Sequence, residues 1–183
     1  KVSIARQVQD QFRYWTKNDK IPRSYLMDPP QPDAPIVVSY GMMGLKELNY
    51  PADELTEAMV RFLAARQTPE GYWMVNDYRP PMEDGPILGT AFVVRALQTY
   101  SVPGIQKEIP GLLSRAINYL HQVDPHNFNQ EAFRLLGLGW AGERTSRLGR
   151  FVKDMRSKQQ EDGGWAQLDG LPSDAWATGL ALL

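Results

Sequence analysis

The chain has 183 residues with 20 Lys and Arg against 21 Asp and Glu, and hydrophobic residues make up 43% of it. That balance supplies a core and nearly cancels the charge, which excludes disordered and collagen-like classes; no apolar run approaches the ~20 residues of a spanning helix, the longest, Pro86 to Val94, stopping at Arg95. A net charge of -1 gathers no nucleic acid, and the absence of cysteine removes disulfides, thiolate nucleophiles and Cys-ligated metals.

The chain opens at Lys1 with no signal peptide and is read as a piece of a longer protein. Its first pattern is amphipathic, with Ile4, Val8, Phe12 and Trp15 on one helical face. A rigid loop from Pro29 to Pro35 follows, then a stretch that is apolar almost all round, Ile36 to Leu45. Pro51 introduces a second amphipathic helix on Leu55, Met59, Phe62 and Leu63, and Pro86 introduces a second apolar one, Ile87 to Leu97. The third pair is Leu113, Ala116, Ile117 and Leu120, then Ala132 to Trp140 with Arg134 as its single basic residue. The fourth is Leu148, Phe151, Val152 and Met155, then Ala175 to Leu183, which carries no charge and is entered through Pro172 with Ser173 as the expected N-cap. Helices without a polar face are buried and amphipathic ones show a face to water, so outer and inner helices alternate. No strand pair competes. The last helix reaches Leu183 without a Gly, Asn or basic stop signal, so the domain is expected to be incomplete at that end.

Two segments repeat. Gln67-Thr68-Pro69-Glu70-Gly71-Tyr72-Trp73 and Gln159-Gln160-Glu161-Asp162-Gly163-Gly164-Trp165 share Gln, Gly and Trp at the same internal spacing, offset by 165 - 73 = 92 residues. Each lies between an amphipathic helix and an apolar one, so the interval holds two hairpins of about 46 residues. The expected fold is all-α: an α/α toroid or open arc of about four hairpins, a part of a larger barrel. The whole chain forms one repeat domain, with hairpins at roughly 1–49, 50–101, 109–141 and 143–183. Within each motif Gly71 or Gly163 allows a sharp turn, the Gln amide can bond backbone groups at helix ends, and Trp73 or Trp165 covers the junction.

These Gln-x-x-x-Gly-x-Trp segments resemble the QW motif of the squalene-hopene cyclase and protein prenyltransferase superfamily, whose fold is an α/α toroid. The second copy, continuing into Pro172-Ser173-Asp174-Ala175-Trp176-Ala177-Thr178-Gly179, carries the closer likeness. Tyr78-Arg79-Pro80-Pro81-Met82-Glu83 is similar to a branch of uncharacterised bacterial repeat proteins, some exported and some fused to a cytochrome c domain. The resemblance implies a central cavity, with active sites at the N-terminal ends of the inner helices. Class II cyclases of this superfamily protonate an alkene with a D-x-D-D motif, and this chain contains none. Prenyltransferases hold zinc with Asp, Cys and His, and complement-type toroids use a Cys thioester; neither set can be built without cysteine.

What remains is sparse. Asp33, Glu83, Asp84 and Asp174 stand at the starts of apolar helices, where a carboxylate favours the exposed N–H groups; Glu83, Asp84 and Asp174 are the catalytic candidates. Asp33, Tyr40, Phe92 and Trp176 are candidates for lining a cavity that would take a hydrophobic molecule. His121 and His126 do not share a helical face and read as solvated or capping groups, and Arg144, Arg147, Arg150, Lys153 and Arg156 read as a solvated face. The expected function is a toroid segment that binds a hydrophobic ligand or a protein partner, with no metal or cofactor. Part of a cyclase whose acid motif lies outside this chain, or a carbohydrate-active barrel using Glu83, Asp84 and Asp174, are the alternatives.

Overall fold

The computed structural model describes residues 34–75, 78–81 and 83–183. The amphipathic stretch expected at Ile4 to Trp15 and the candidate Asp33 lie outside these residues. Among the described residues the fold is all-α, with seven helices and one short two-stranded ribbon.

Helix α1 (Ala34–Glu47) has Pro35 in its first turn, and the Pro35 carbonyl accepts from the buried Ser39 hydroxyl at 2.7 Å. It ends where Asn49 takes a φ of 54° and Tyr50 N–H returns to Leu45 O at 2.9 Å. Helix α2 (Glu54–Ala64) opens with a reciprocal capping box between Asp53 and Thr56, and it buries Leu55, Met59, Phe62 and Leu63. The chain then forms the ribbon, β1 (Tyr78–Arg79) and β2 (Glu83–Asp84), antiparallel with Tyr78 opposite Asp84 and Arg79 opposite Glu83. This pair overturns the expectation that no strand pair competes; two residues per strand are too few to leave an alternating pattern.

Helix α3 (Gly85–Ala96) is the most enclosed element, exposing only Arg95 fully. Helix α4 (Ile109–Gln122) is amphipathic, but its buried line is Leu112, Ala116 and Leu120; Leu113 and Ile117 are only half-buried. Helix α5 (Phe128–Trp140) begins four residues before the expected Ala132, because Asn127 caps it by accepting from Gln130 N–H. Helix α6 (Thr145–Ser157) buries Phe151 and Met155. Helix α7 (Ala175–Ala181) departs from expectation twice. Its N-cap is Asp174 rather than Ser173, and it is not wrapped in protein: Ala177 is its one buried residue, with Leu182 and Leu183 beyond it 75% and 81% exposed.

The apolar helices lie side by side in chain order, α1 against α3, α3 against α5 and α5 against α7. The amphipathic ones flank them, α2 against α1, α4 against α3 and α5, and α6 against α5. The α3–α5 contact is tight at Gly137, where an added Cβ would come within 3.0 Å of the Ala91 Cβ. Two core clusters fill the α1–α5 region, and a smaller one of Phe128, Ala132, Met155, Trp165 and Ala177 holds α5, α6 and α7 together.

The two Gln-x-x-x-Gly-x-Trp segments fold alike. Gln67 Nε2 donates to Gly71 O at 2.9 Å and Gln159 Nε2 to Gly163 O at 2.8 Å. Trp73 Nε1 donates to Leu63 O at 2.7 Å and Trp165 Nε1 to Met155 O at 2.8 Å, each in the last turn of the preceding outer helix. The backbone N–H of each Trp is held by a threonine of the next inner helix, Thr90 at 3.2 Å and Thr178 at 3.0 Å. The indole therefore reaches the end of the preceding helix and the glutamine closes the loop, with Gln67 also donating to Leu112 O in the first turn of the next amphipathic helix. Gly71 is needed twice over: its φ is 99°, and a Cβ there would lie 2.4 Å from Arg115 O.

Candidate functional site

The N-terminal ends of α3, α5 and α7 meet in a polar cluster centred on Asp84. This residue occupies the N-cap position of α3, yet its side chain makes no cap hydrogen bond. It turns toward α5 instead, so the local capping expected of it does not occur. Its Oδ2 accepts from Asn127 Nδ2 at 2.9 Å and Asn129 Nδ2 at 3.0 Å, and its Oδ1 from Gln130 Nε2 at 3.1 Å. Asp84 is 3% exposed, Asn129 4% and Gln130 8%. A carboxylate so enclosed is tolerable only because amide donors replace water at both oxygens. Asn129 also donates to Pro81 O at 3.1 Å and accepts from Trp176 Nε1 at 3.0 Å, which ties the ribbon turn and α7 into the same cluster.

The other carboxylate candidates are engaged differently. Glu83 pairs with Arg79 across the ribbon. Asp174 does cap its helix, accepting from Ala177 N–H at 2.9 Å and Gln167 N–H at 3.2 Å. Those backbone donors, Ala177 first, outweigh partial desolvation and hold its pKa below the ordinary aspartate value. Asp33 lies outside the described residues.

Helices α1, α3 and α5 carry an aromatic row. The Tyr40 ring centroid lies 4.6 Å from that of Phe92, which lies 5.4 Å from Phe133 and 6.1 Å from Trp140. All three pairs are tilted, a favourable packing for aromatic faces and edges. Phe92 is 9% exposed, whereas Tyr40 and its neighbour Val37 are 38% and 39% exposed, so the row opens to solvent at α1. Burial and the nearby Glu83 charge raise the Tyr40 pKa, keeping the phenol neutral. Trp176 is not in this row but in the Asp84 cluster.

His121 and His126 do not converge. His121 Nε2 lies 2.7 Å from Glu143 Oε2, linking the end of α4 to the α5–α6 turn, and His126 gives only its backbone N–H to Gln130. Among the described residues no group of three or more His, Cys, Asp or Glu is arranged to hold a metal ion. The basic residues of α6 are exposed. Asn127, Asn129 and Gln130, which organise the polar cluster, were not singled out in the sequence, although an Asn-Phe-Asn-Gln run at the mouth of an apolar helix is the available signal.

Compared with known protein families, with curated proteins and with solved structures, the chain matches none.

Proposed function

We propose that this chain is a toroid-type stack of helical hairpins that binds a hydrophobic small molecule along its inner helices and does not itself carry out chemistry. The observation that carries this reading is the row Tyr40, Phe92, Phe133 and Trp140, apolar, continuous across three inner helices and open to solvent at Val37 and Tyr40. Sites for small apolar ligands are built of such aromatic linings with a few polar groups at one end. The carboxylates nearest it have other partners: Asp84 serves three amides, Glu83 serves Arg79, and Asp174 serves backbone N–H groups. The side-by-side order of α1, α3, α5 and α7 supports a toroidal or arc-like stack, with the row on its inner side.

Titration with the neutral dye Nile red tests this. Saturable binding with a fluorescence rise is expected, at least fivefold weaker in Tyr40→Ser and in Val37→Ser at unchanged far-UV circular dichroism. Binding indifferent to both substitutions overturns the reading.

One observation favours a second reading. Asp84 is a buried carboxyl group at the N-terminal ends of α3 and α5 with no cation among its described partners, the place at which the cyclase resemblance puts an active site. Isoprenoid cyclisation by the protein, abolished by Asp84→Asn, would establish that reading over simple binding.

A further inference from the structure

The C-terminal part of α4, the turn that follows it, α5 and α6 line an open cleft of about 710 Å³. Its floor is built from Glu131 and Arg134 of α5, and its walls carry Gln122 and Asp124 on one side and Arg150 and Asp154 on the other.

The floor breaks the pattern of the fold. Glu131 and Arg134 stand four and seven residues after the α5 N-cap, Asn127. At the same positions α3 carries Leu88 and Ala91, both fully buried, and α7 carries Thr178 and Ala181. One inner helix thus places an ion pair's worth of charge where its siblings place apolar or small groups. Charges at half-buried positions are costly, and where a repeat departs from its own local rule the departure is expected at a functional site.

Both side chains are held in place and incompletely used. Lys158 Nζ binds Glu131 Oε1 at 2.5 Å, and Arg134 Nη1 donates to Val123 O at 3.2 Å. The guanidinium also packs over the Phe151 ring, 4.5 Å from its centroid. Yet Glu131 Oε2 and Arg134 Nε are buried without a hydrogen-bond partner among the described residues. An orphaned acceptor and an orphaned donor, one helical turn apart, are matched by a group that donates and accepts at once.

The charges select the class of ligand. The lining carries three cations, Arg134, Arg150 and Lys158, and three anions, Asp124, Glu131 and Asp154, so a free anion or cation meets as much repulsion as attraction. Both orphaned atoms are closed off from solvent, so a hydroxyl seated between Glu131 and Arg134 satisfies them once the two side chains turn toward it. We propose that this cleft binds a neutral polyhydroxylated ligand of the saccharide class, independently of the inner aromatic row.

Saturation-transfer NMR with maltotriose, cellotriose and chitotriose tests this, with inorganic phosphate and triglycine as comparison ligands. Transfer to at least one trisaccharide is expected, with a dissociation constant at least tenfold weaker in Arg134→Met and weaker in the exposed-wall variant Asp154→Asn. Circular dichroism verifies that each variant is folded, and Asp154→Asn keeps the test open where Arg134→Met is not. Tyr40→Ser should leave the signal unchanged. Transfer to none of the three sugars, binding of phosphate or triglycine alone, or sugar binding indifferent to both cleft variants overturns the proposal.

Discussion

Trp73 offers the sharpest test of how the hairpins are joined. Its side chain is fully buried in the larger core cluster, between α2 and α3, and its indole N–H closes the last turn of α2 on Leu63 O. Truncating a buried aromatic to alanine costs about 3–5 kcal/mol, and losing the indole hydrogen bond adds about 1 kcal/mol. Leu63 O retains the Arg66 N–H at 3.2 Å, so the carbonyl is not stranded and no further desolvation penalty is due. Trp73→Ala is therefore expected to cost about 4–6 kcal/mol, a large fraction of the ~5–15 kcal/mol that holds a domain folded. Trp165 makes the equivalent indole bond but is 6% exposed and packs in the small cluster beside α7. Trp165→Ala should cost less, about 2–4 kcal/mol. Urea denaturation followed by far-UV circular dichroism gives both values. Trp73→Phe, which keeps most of the packing and loses the N–H, should cost about 1–2 kcal/mol and serves where the alanine variant is unfolded in buffer. A Trp73→Ala variant within about 1 kcal/mol of the parent, or a Trp165→Ala variant less stable than Trp73→Ala, refutes the account of these junctions.

Three further outcomes are expected. Gly71→Ala should lower the melting temperature far more than Gly163→Ala: both have positive φ, 99° and 84°, but only the first drives a Cβ into backbone, whereas the second meets open space; equal losses in calorimetry would contradict this. Asp84→Ala strands the amides of Asn127, Asn129 and Gln130 and should cost about 2–4 kcal/mol in urea titration, with a cost under about 1 kcal/mol meaning that the cluster is not what joins the helix ends. Asp174, Asp162 and Glu143 all have lowered pKa values, Asp174 through Ala177 N–H, Asp162 through Ser173 and Glu143 through His121. Folded-state values below unfolded ones contribute stability that is present above the unfolded pKa, about 4, and lost as pH falls through the folded values. Melting temperature should accordingly be flat near neutrality and drop below about pH 4, less steeply in Asp174→Asn, since Asn also caps a helix.

The alternation of enclosed and amphipathic helices was legible because burial on all sides and burial on one side leave different patterns, and Ile87 to Leu97 against Leu55 to Leu63 displays the contrast plainly. The start of α5 was hidden because Asn127, Asn129 and Gln130 look like a polar loop until the partner that buries them is known. That partner, Asp84, is 43 residues away from Asn127. The rule that places an acid at a helix start is local, and it assigned Asp84 to its own helix. Tertiary pairing overrode it. Arg134 was visible as the single basic residue of an apolar stretch, but its significance comes from the Glu131 beside it and from the walls of α4 and α6, which no periodicity encodes. The exposure of α7 was missed for the related reason that an apolar segment states what it can bury, not what is there to cover it.

The two glutamines differ in reach. Gln67 extends past its own loop to Leu112 O at 2.8 Å, and Arg115 Nε returns to Gln67 Oε1 at 3.0 Å, so this junction grips the neighbouring outer helix as well. The hydrogen bond of the Gln159 amide stays within its loop. Neighbour coupling of this kind sets how cooperatively a row of repeats opens. Amide hydrogens of α3 should exchange with solvent deuterium only on the timescale of global opening, while those of α7 exchange orders of magnitude sooner. The aromatic row would then remain rigid as the last helix breathes, and the Trp176 side of the Asp84 cluster would act as the hinge between the two regimes.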